Sequence, residues 1–364
     1  MRTRKQTRAE ESSEAALSPT SSTSSPTVVS ITKFEGPTVS LSTRDSDAPG
    51  AAARLDSLAQ SPSKSKLPTV FQFPLVAVLS LALSQLGYTL TWAHSKGALA
   101  AHARLLSSWT DLGVIVGWRL FELALGWFGN YDGYDVTALN LLSSGPPLYL
   151  LFAFYEVPAS ALLLTLAIET LATYIPFRLL RPLSTAHADP HRVPNADIVT
   201  DRPIALLTTL LAGAIYSVTL FFAYATYLPA ALVVYFSRLP SIAAAHEATY
   251  VGLLPATLVL GFAARAFIFT PAEATPPEAK KVPFDPASAS LPDTLRYNFW
   301  GWSAQTKVVM KRTALLVLVS GGNTFLQTRL TLEGVETPGA LAWSSVWALA
   351  AAVTGLALGA VGSV

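Results

Sequence analysis

The 364-residue chain contains no cysteine. Disulfides, thiolate catalysis and cysteine-ligated metals are therefore excluded, and the redox compartment stays open. No Asn-x-Ser/Thr sequon occurs either, so glycosylation cannot mark a lumenal loop. Charge is scarce: 13% of the residues are Asp, Glu, Lys or Arg, against ~25% in soluble domains. Hydrophobic residues make up 51% instead, and a bilayer is the solvent that suits such a composition. The formal charge of +2 says little, because the placement of Lys and Arg matters more than their sum. No nucleic-acid partner and no cofactor is expected.

Residues 1–66 lack the apolar core of a signal peptide. They hold 15 Ser and 8 Thr with few large apolar side chains, a composition that predicts a disordered Ser/Thr-rich cytosolic tail. The opening MRTRKQTR is followed by Glu10, Glu11 and Glu14, which argues against a mitochondrial transit peptide. Ser18, Ser25 and Ser61 each precede proline and are phosphorylation candidates.

Eight apolar segments follow, at 70–92, 112–129, 136–156, 159–178, 203–227, 249–269, 313–330 and 340–362. The third and fourth could be one tilted helix over 148–178 or two helices separated by Glu156-Val157-Pro158. Cytoplasmic loops attract Lys and Arg. Placing Lys64 and Lys66, then Arg178, Arg181, Arg192 and Arg202, then Lys280, Lys281, Arg296, Lys307, Lys311 and Arg312 on one side requires an even number of crossings before 178. Four spans fit. The expected architecture is an all-α polytopic transmembrane bundle of about eight spans, with both termini cytosolic. Residues 67–202 form a first four-span half and 203–364 a second, with a cytosolic loop at 270–312. Leu295, Phe299, Trp302 and Val309 in that loop have near-helical spacing, which suits an interfacial helix or an aromatic belt before the next span.

Two segments echo each other. Thr137 to Pro147 reads TALNLLSSGPP and Thr313 to Asn323 reads TALLVLVSGGN. Ala-Ala-His ends at His102 and again at His246, and Gly117-Trp118 and Gly261-Phe262 follow at one offset. These matches suggest two parallel four-helix repeats; chance similarity among small residues is the plain alternative. In the paired segments, Gly145-Pro146-Pro147 removes two amide donors and Gly321-Gly322-Asn323 weakens helix propensity. Interrupted helices are expected at Ser144, Gly145 and Pro146 and at Ser320, Gly321 and Asn323. Such breaks either surround a midplane site or mark a kink with a small-residue packing face.

Arg119 and Glu122 share the second span, Glu169 lies in the fourth and Arg265 in the sixth. Charges at that depth should point inward and pair, which predicts a polar interior from these four and a Glu169–Arg265 contact. Asp132 and Asp135 in GNYDGYD offer too few oxygens for Ca²⁺ and read as a turn. His187 and His191 have metal-ligand spacing, but Pro190 opposes the helix it requires, so no metal site is assigned. No nucleophile elbow or phosphate loop is present.

The segments GWFGNYDGYD, GPPLYLL, YIPFRLLRPLS and NFWGWSAQTKVV resemble those of uncharacterised fungal multi-pass membrane proteins. The resemblance covers 70–364 and implies membrane class without activity. Three functional readings follow: a transporter or channel with a path near 136–156 and 313–330, carrying a small solute or ion; a non-catalytic membrane-organising or accessory subunit; and a membrane enzyme without a recognisable motif. The expected partners are the lipid bilayer and proteins bound through the tail and the 270–312 loop, in an endomembrane such as the endoplasmic reticulum or the plasma membrane.

Overall fold

In lipid, backbone N–H and C=O groups must be satisfied inside the protein, and a helix does this almost wholly within its own segment, so apolar runs of this length become helices. The computed structural model describes residues 68–105, 108–192, 200–269, 290–292, 294 and 304–362. The expected tail at 1–66 and Leu295, Phe299 and Trp302 lie outside the described residues. Nine helices carry the described fold: α1 (Thr69–Ala100), α2 (Trp109–Phe128), α3 (Gly133–Phe154), α4 (Ala159–Leu180), α5 (Arg202–Ala225), the short α6 (Leu228–Tyr235), α7 (Tyr250–Ile268), α8 (Ala304–Thr331) and α9 (Thr337–Gly362). Single turns at Thr185–Ala188 and Ala243–His246 and isolated bridges at Ala103/Leu332 and Phe236/Val335 complete it, with no β-strand among the described residues.

Six helices are long and apolar enough to cross a membrane: α1, α3, α4, α5, α7 and α9. Helices α2 and α8 match the expected second and seventh spans in position but are more charged, with Asp111, Arg119 and Glu122 in one and Lys307, Lys311, Arg312 and Arg329 in the other. Local chemistry sets the boundaries. Ser108 caps α2 by accepting from Thr110 N–H, Asp132 caps α3 through Tyr134 and Asp135, and Thr249 caps α7 through Gly252. The 148–178 region is two helices, separated by a turn in which Glu156 takes φ +56°.

Contacts between the connections fix the threading. At one end, Arg181 donates to Trp127 O at 2.7 Å and Tyr131 O at 2.9 Å, and Arg312 reaches Asp135 and Phe267 O. At the other, Arg104 N donates to Thr331 O, Glu333 N to His102 O, Ser237 N to Gly334 O and Glu336 N to Tyr235 O. Gly334 sits at φ +77°, a left-handed conformation suited to glycine, and a Cβ there would strike Ser237. Successive long helices alternate between these two ends, so Thr69 and Gly362 lie at the same end as Arg181 and Arg312.

In the first four helices, α1 and α3 both pack on α4; in the second set, α5 and α8 both pack on α9. The third helices of the two sets, α3 and α8, face each other across the middle. Two expectations change here. The helices are continuous through both small-residue segments, and the loop expected to run to 312 ends where α8 begins at Ala304.

Candidate functional site

Helix continuity at Pro146 and Pro147 has a tertiary cause. In an α-helix the amide of residue i donates to the carbonyl of i−4, and proline has no amide hydrogen. Pro146 and Pro147 therefore leave the carbonyls of Leu142 and Ser143 without their helical donors. Two side chains of α8 supply the missing hydrogens: Ser320 Oγ donates to Leu142 O at 2.9 Å, and Asn323 Nδ2 donates to Ser143 O at 2.9 Å. Ser320 is 2% exposed and Asn323 is buried. The paired segments of the sequence thus meet in space as complementary parts of one seam. Ala348 of α9 lies beside Gly321, and the Trp118 indole covers Gly322 so closely that a Cβ there would be 2.5 Å from it. Gly145 faces another neighbour, Leu260 of α7.

The charged residues of the first half form a second constellation. Arg119 Nη1 donates to Asn140 Oδ1 at 3.0 Å, and Nη2 donates to Thr173 Oγ1 at 2.6 Å. The same guanidinium pairs with Glu169 at 3.2 Å and Glu122 at 3.4 Å. Glu169 also accepts from Ser84 Oγ at 3.0 Å and Tyr88 Oη at 2.7 Å, and Glu122 accepts from the Trp118 indole at 3.1 Å. Arg119, Glu122 and Glu169 are thus brought together as one centre tying α1, α2, α3 and α4. The expected Glu169–Arg265 contact does not form, because Arg119 takes the carboxylate. Arg265 lies in α7, away from this centre.

A cavity of about 400 Å³ opens onto the centre. Arg119, Glu122 and Glu169 form its charged side, Ser144 and Asn323 reach it from α3 and α8, and Leu99 and Leu332 also line it. A separate void of about 10 Å³, near the minimum for one water, touches Arg119, Glu122 and Asn140. Asn140 Nδ2 is buried there without a hydrogen-bond partner among the described residues.

A third cluster joins the halves at the Arg181 end. Arg312 is buried and bidentate on Asp135, at 2.8 and 3.2 Å, and donates to Phe267 O at 2.6 Å. The rings of Tyr131 and Phe267 flank its guanidinium at 4.9 and 5.1 Å. Asp132 accepts from the amides of Tyr134, Asp135 and Ser184 and meets His187 Nδ1 at 2.6 Å. Burial pushes the Asp132 carboxyl up, but the contacts from His187, Asp135 and Ser184 outweigh it and hold the group well below the usual carboxylate range.

Asp132, Asp135 and His187 offer three metal-ligand atoms within 4.8 Å of one another. The donor set does not suit an ion, since Asp135 is taken by a guanidinium and Asp132 already accepts three amide hydrogens and the imidazole contact. The cluster is the turn expected at GNYDGYD, with a buried ion pair added.

Sequence reasoning missed Ser84, Tyr88, Asn140 and Thr173 around Arg119, although hydroxyl and amide side chains inside apolar spans are a usable signal. It also read Arg312 as loop charge, because Asp135 lies 177 residues away.

A family model described as the Bouquet formation protein 3 C-terminal domain matches residues 201–361. The matched region runs from α5 to the end of α9; it contains Ser320 and Asn323 and leaves the Arg119 centre outside. No curated protein and no solved structure matches the chain.

Proposed function

We propose that this protein is a non-catalytic organising or accessory protein of an endomembrane, a helical body that holds protein partners at the bilayer and conducts nothing. The observation that supports this reading is the closed seam between α3 and α8. A solute path near the two small-residue segments needs water there, whereas Ser320 and Asn323 are committed to the carbonyls of Leu142 and Ser143. The matching family's name, which refers to bouquet formation and to neither transport nor catalysis, points the same way. In this reading the Arg181 and Arg312 end is cytosolic, consistent with its Lys and Arg content. The tail at 1–66 and residues 270–303 on that side are the partner-binding segments. The shared packing of first and third helices on the fourth supports two parallel repeats.

The cavity favours one second reading, a transporter or channel, because it carries Ser144 and Asn323 on its wall. The absence of cysteine makes the test direct. Single cysteines at Ser144 and Ser320, with Ala188 and Glu336 as controls at opposite ends, are exposed to a membrane-impermeant maleimide from each side. Silence at Ser320→Cys with both controls reacting is expected; labelling at both Ser144→Cys and Ser320→Cys refutes the non-conducting reading.

A further inference from the structure

We infer that the cavity between α1, α2 and α8 binds an alkyl amine, its cationic nitrogen between Glu122 and Glu169 and its chain along the apolar wall. The inference goes beyond the accessory reading and does not depend on it.

Charge is the first ground. Arg119 is one cation facing two carboxylates, and among the described residues no second cation pairs with either. The two glutamate side chains are 10% and 21% exposed, and both face the cavity. An uncompensated charge at membrane depth is costly, so the centre favours one further positive group, whether a proton or a ligand's ammonium. An anionic headgroup meets two carboxylates and is disfavoured.

Shape and chemistry are the second. A volume of about 400 Å³ lies within the range of small-molecule sites. Leu81, Leu112, Ile115 and Leu151 supply apolar wall, and Trp118 and Tyr88 place aromatic rings beside the carboxylates, where an ammonium gains cation–π attraction.

The third ground is a departure between the halves. Helices α5 and α7 are pressed together at Gly213 and Gly261, where a Cβ on Gly261 would lie 2.4 Å from the Gly213 nitrogen. Gly117, which the Ala-Ala-His offset matches to Gly261, makes no such contact: it lies on the exposed face of α2, with nothing within 4 Å of an added Cβ. Helices α1 and α2 stand apart, and the cavity occupies the gap.

The test uses the full chain in phosphatidylcholine nanodiscs, with empty discs subtracted. Radiolabelled n-dodecylamine, n-dodecanol, lauric acid and n-butylamine are the probes. Saturable amine binding about tenfold tighter than dodecanol is expected, with lauric acid weaker still. Glu122→Gln should abolish the amine preference, and Glu333→Gln, at a surface pair, should preserve it. If Glu122→Gln fails to fold, Thr165→Phe fills the cavity without touching the charges and should remove dodecylamine binding. Preference for dodecylamine over butylamine supports a lipid-derived source, and equal binding supports a soluble one. Equal affinity for amine and alcohol, or amine binding that survives Thr165→Phe, overturns the inference. Labelling of both Ser144→Cys and Ser320→Cys would sink the non-conducting reading and leave this one standing.

Discussion

The seam between α3 and α8 predicts a specific pattern of coupling. Asn323→Ala removes the donor to the Ser143 carbonyl, and hydrogen bonds between membrane helices contribute about 0.6 kcal/mol on average and about 1.7 kcal/mol at most. A loss of about 1 to 1.5 kcal/mol is expected, because the orphaned carbonyl is buried and has no alternative donor in its own helix. Pro147→Ala restores that helical donor, since the amide of residue 147 then reaches the Ser143 carbonyl. In the Pro147→Ala background the cost of Asn323→Ala should fall to a few tenths of a kcal/mol, a coupling of about 1 kcal/mol. The same logic links Pro146 to Ser320 through Leu142, whereas the crossed combinations, Pro146 with Asn323 and Pro147 with Ser320, should be nearly additive. Unfolding of purified variants in mixed micelles, followed by circular dichroism, gives the four free energies of each cycle. The account is refuted if Asn323→Ala costs the same with and without Pro147, or if the crossed pairs couple as strongly as the direct ones.

Three further outcomes follow from the same packing. Arg312→Met leaves Asp135 buried without its partner and should cost about 3 to 5 kcal/mol, while the Asp135→Leu/Arg312→Met double variant should cost less than the single change; denaturation midpoints with protein yield check both. Gly261→Ala forces a methyl against the Gly213 backbone and should destabilise by about 1 to 3 kcal/mol, whereas Gly117→Ala, with open space around it, should stay within about 0.5 kcal/mol; thermal melts separate the two. Asp132, held below the usual carboxylate range, stabilises the fold above its unfolded value of about 3.9 and loses that contribution as pH falls below it. The advantage of wild type over Asp132→Asn should therefore shrink by about 1 kcal/mol per pH unit below about pH 3.5; a gap unchanged between pH 4 and pH 3 would remove this assignment.

The eight long helices were legible because length and apolarity are local properties: the segments expected at 159–178 and 249–269 become Ala159–Leu180 and Tyr250–Ile268. Even threading was legible from Lys and Arg placement, and the shared end of Arg181 and Arg312 agrees with it. What escaped the sequence depends on partners far away in it. Propensity alone predicts breaks at Gly145-Pro146-Pro147 and Gly321-Gly322-Asn323, but propensity does not count donors on another helix, and Ser320 and Asn323 lie 178 and 180 residues from the carbonyls they satisfy. Helix α8 was drawn too short for a related reason. Lys307, Lys311 and Arg312 read as loop charge, yet Arg312 enters the bundle because Asp135 and the Phe267 carbonyl meet it there.

The two buried cation centres differ in a way that separates support from recognition. At Arg312, one guanidinium meets one carboxylate in bidentate geometry, a backbone carbonyl takes a further hydrogen, and two rings cover its faces. That centre is closed, and its removal should be felt as lost stability alone. At Arg119, one guanidinium is shared between two carboxylates, two neutral side chains also draw on it, and a cavity borders both acids. The two halves share the packing of first and third helices on the fourth but differ at the first pair, tight between α5 and α7 and open between α1 and α2. The carboxyl group in excess of Arg119 lies at this departure from the common plan, and the region that matches the family model is the tightly packed half. The proposed accessory role and the proposed amine site therefore make separate demands. Substitutions at Gly213 or Gly261 should lower stability without changing the choice between amine and alcohol, and Glu122→Gln should change that choice with the smaller effect on stability, because the Arg119–Glu169 pair persists.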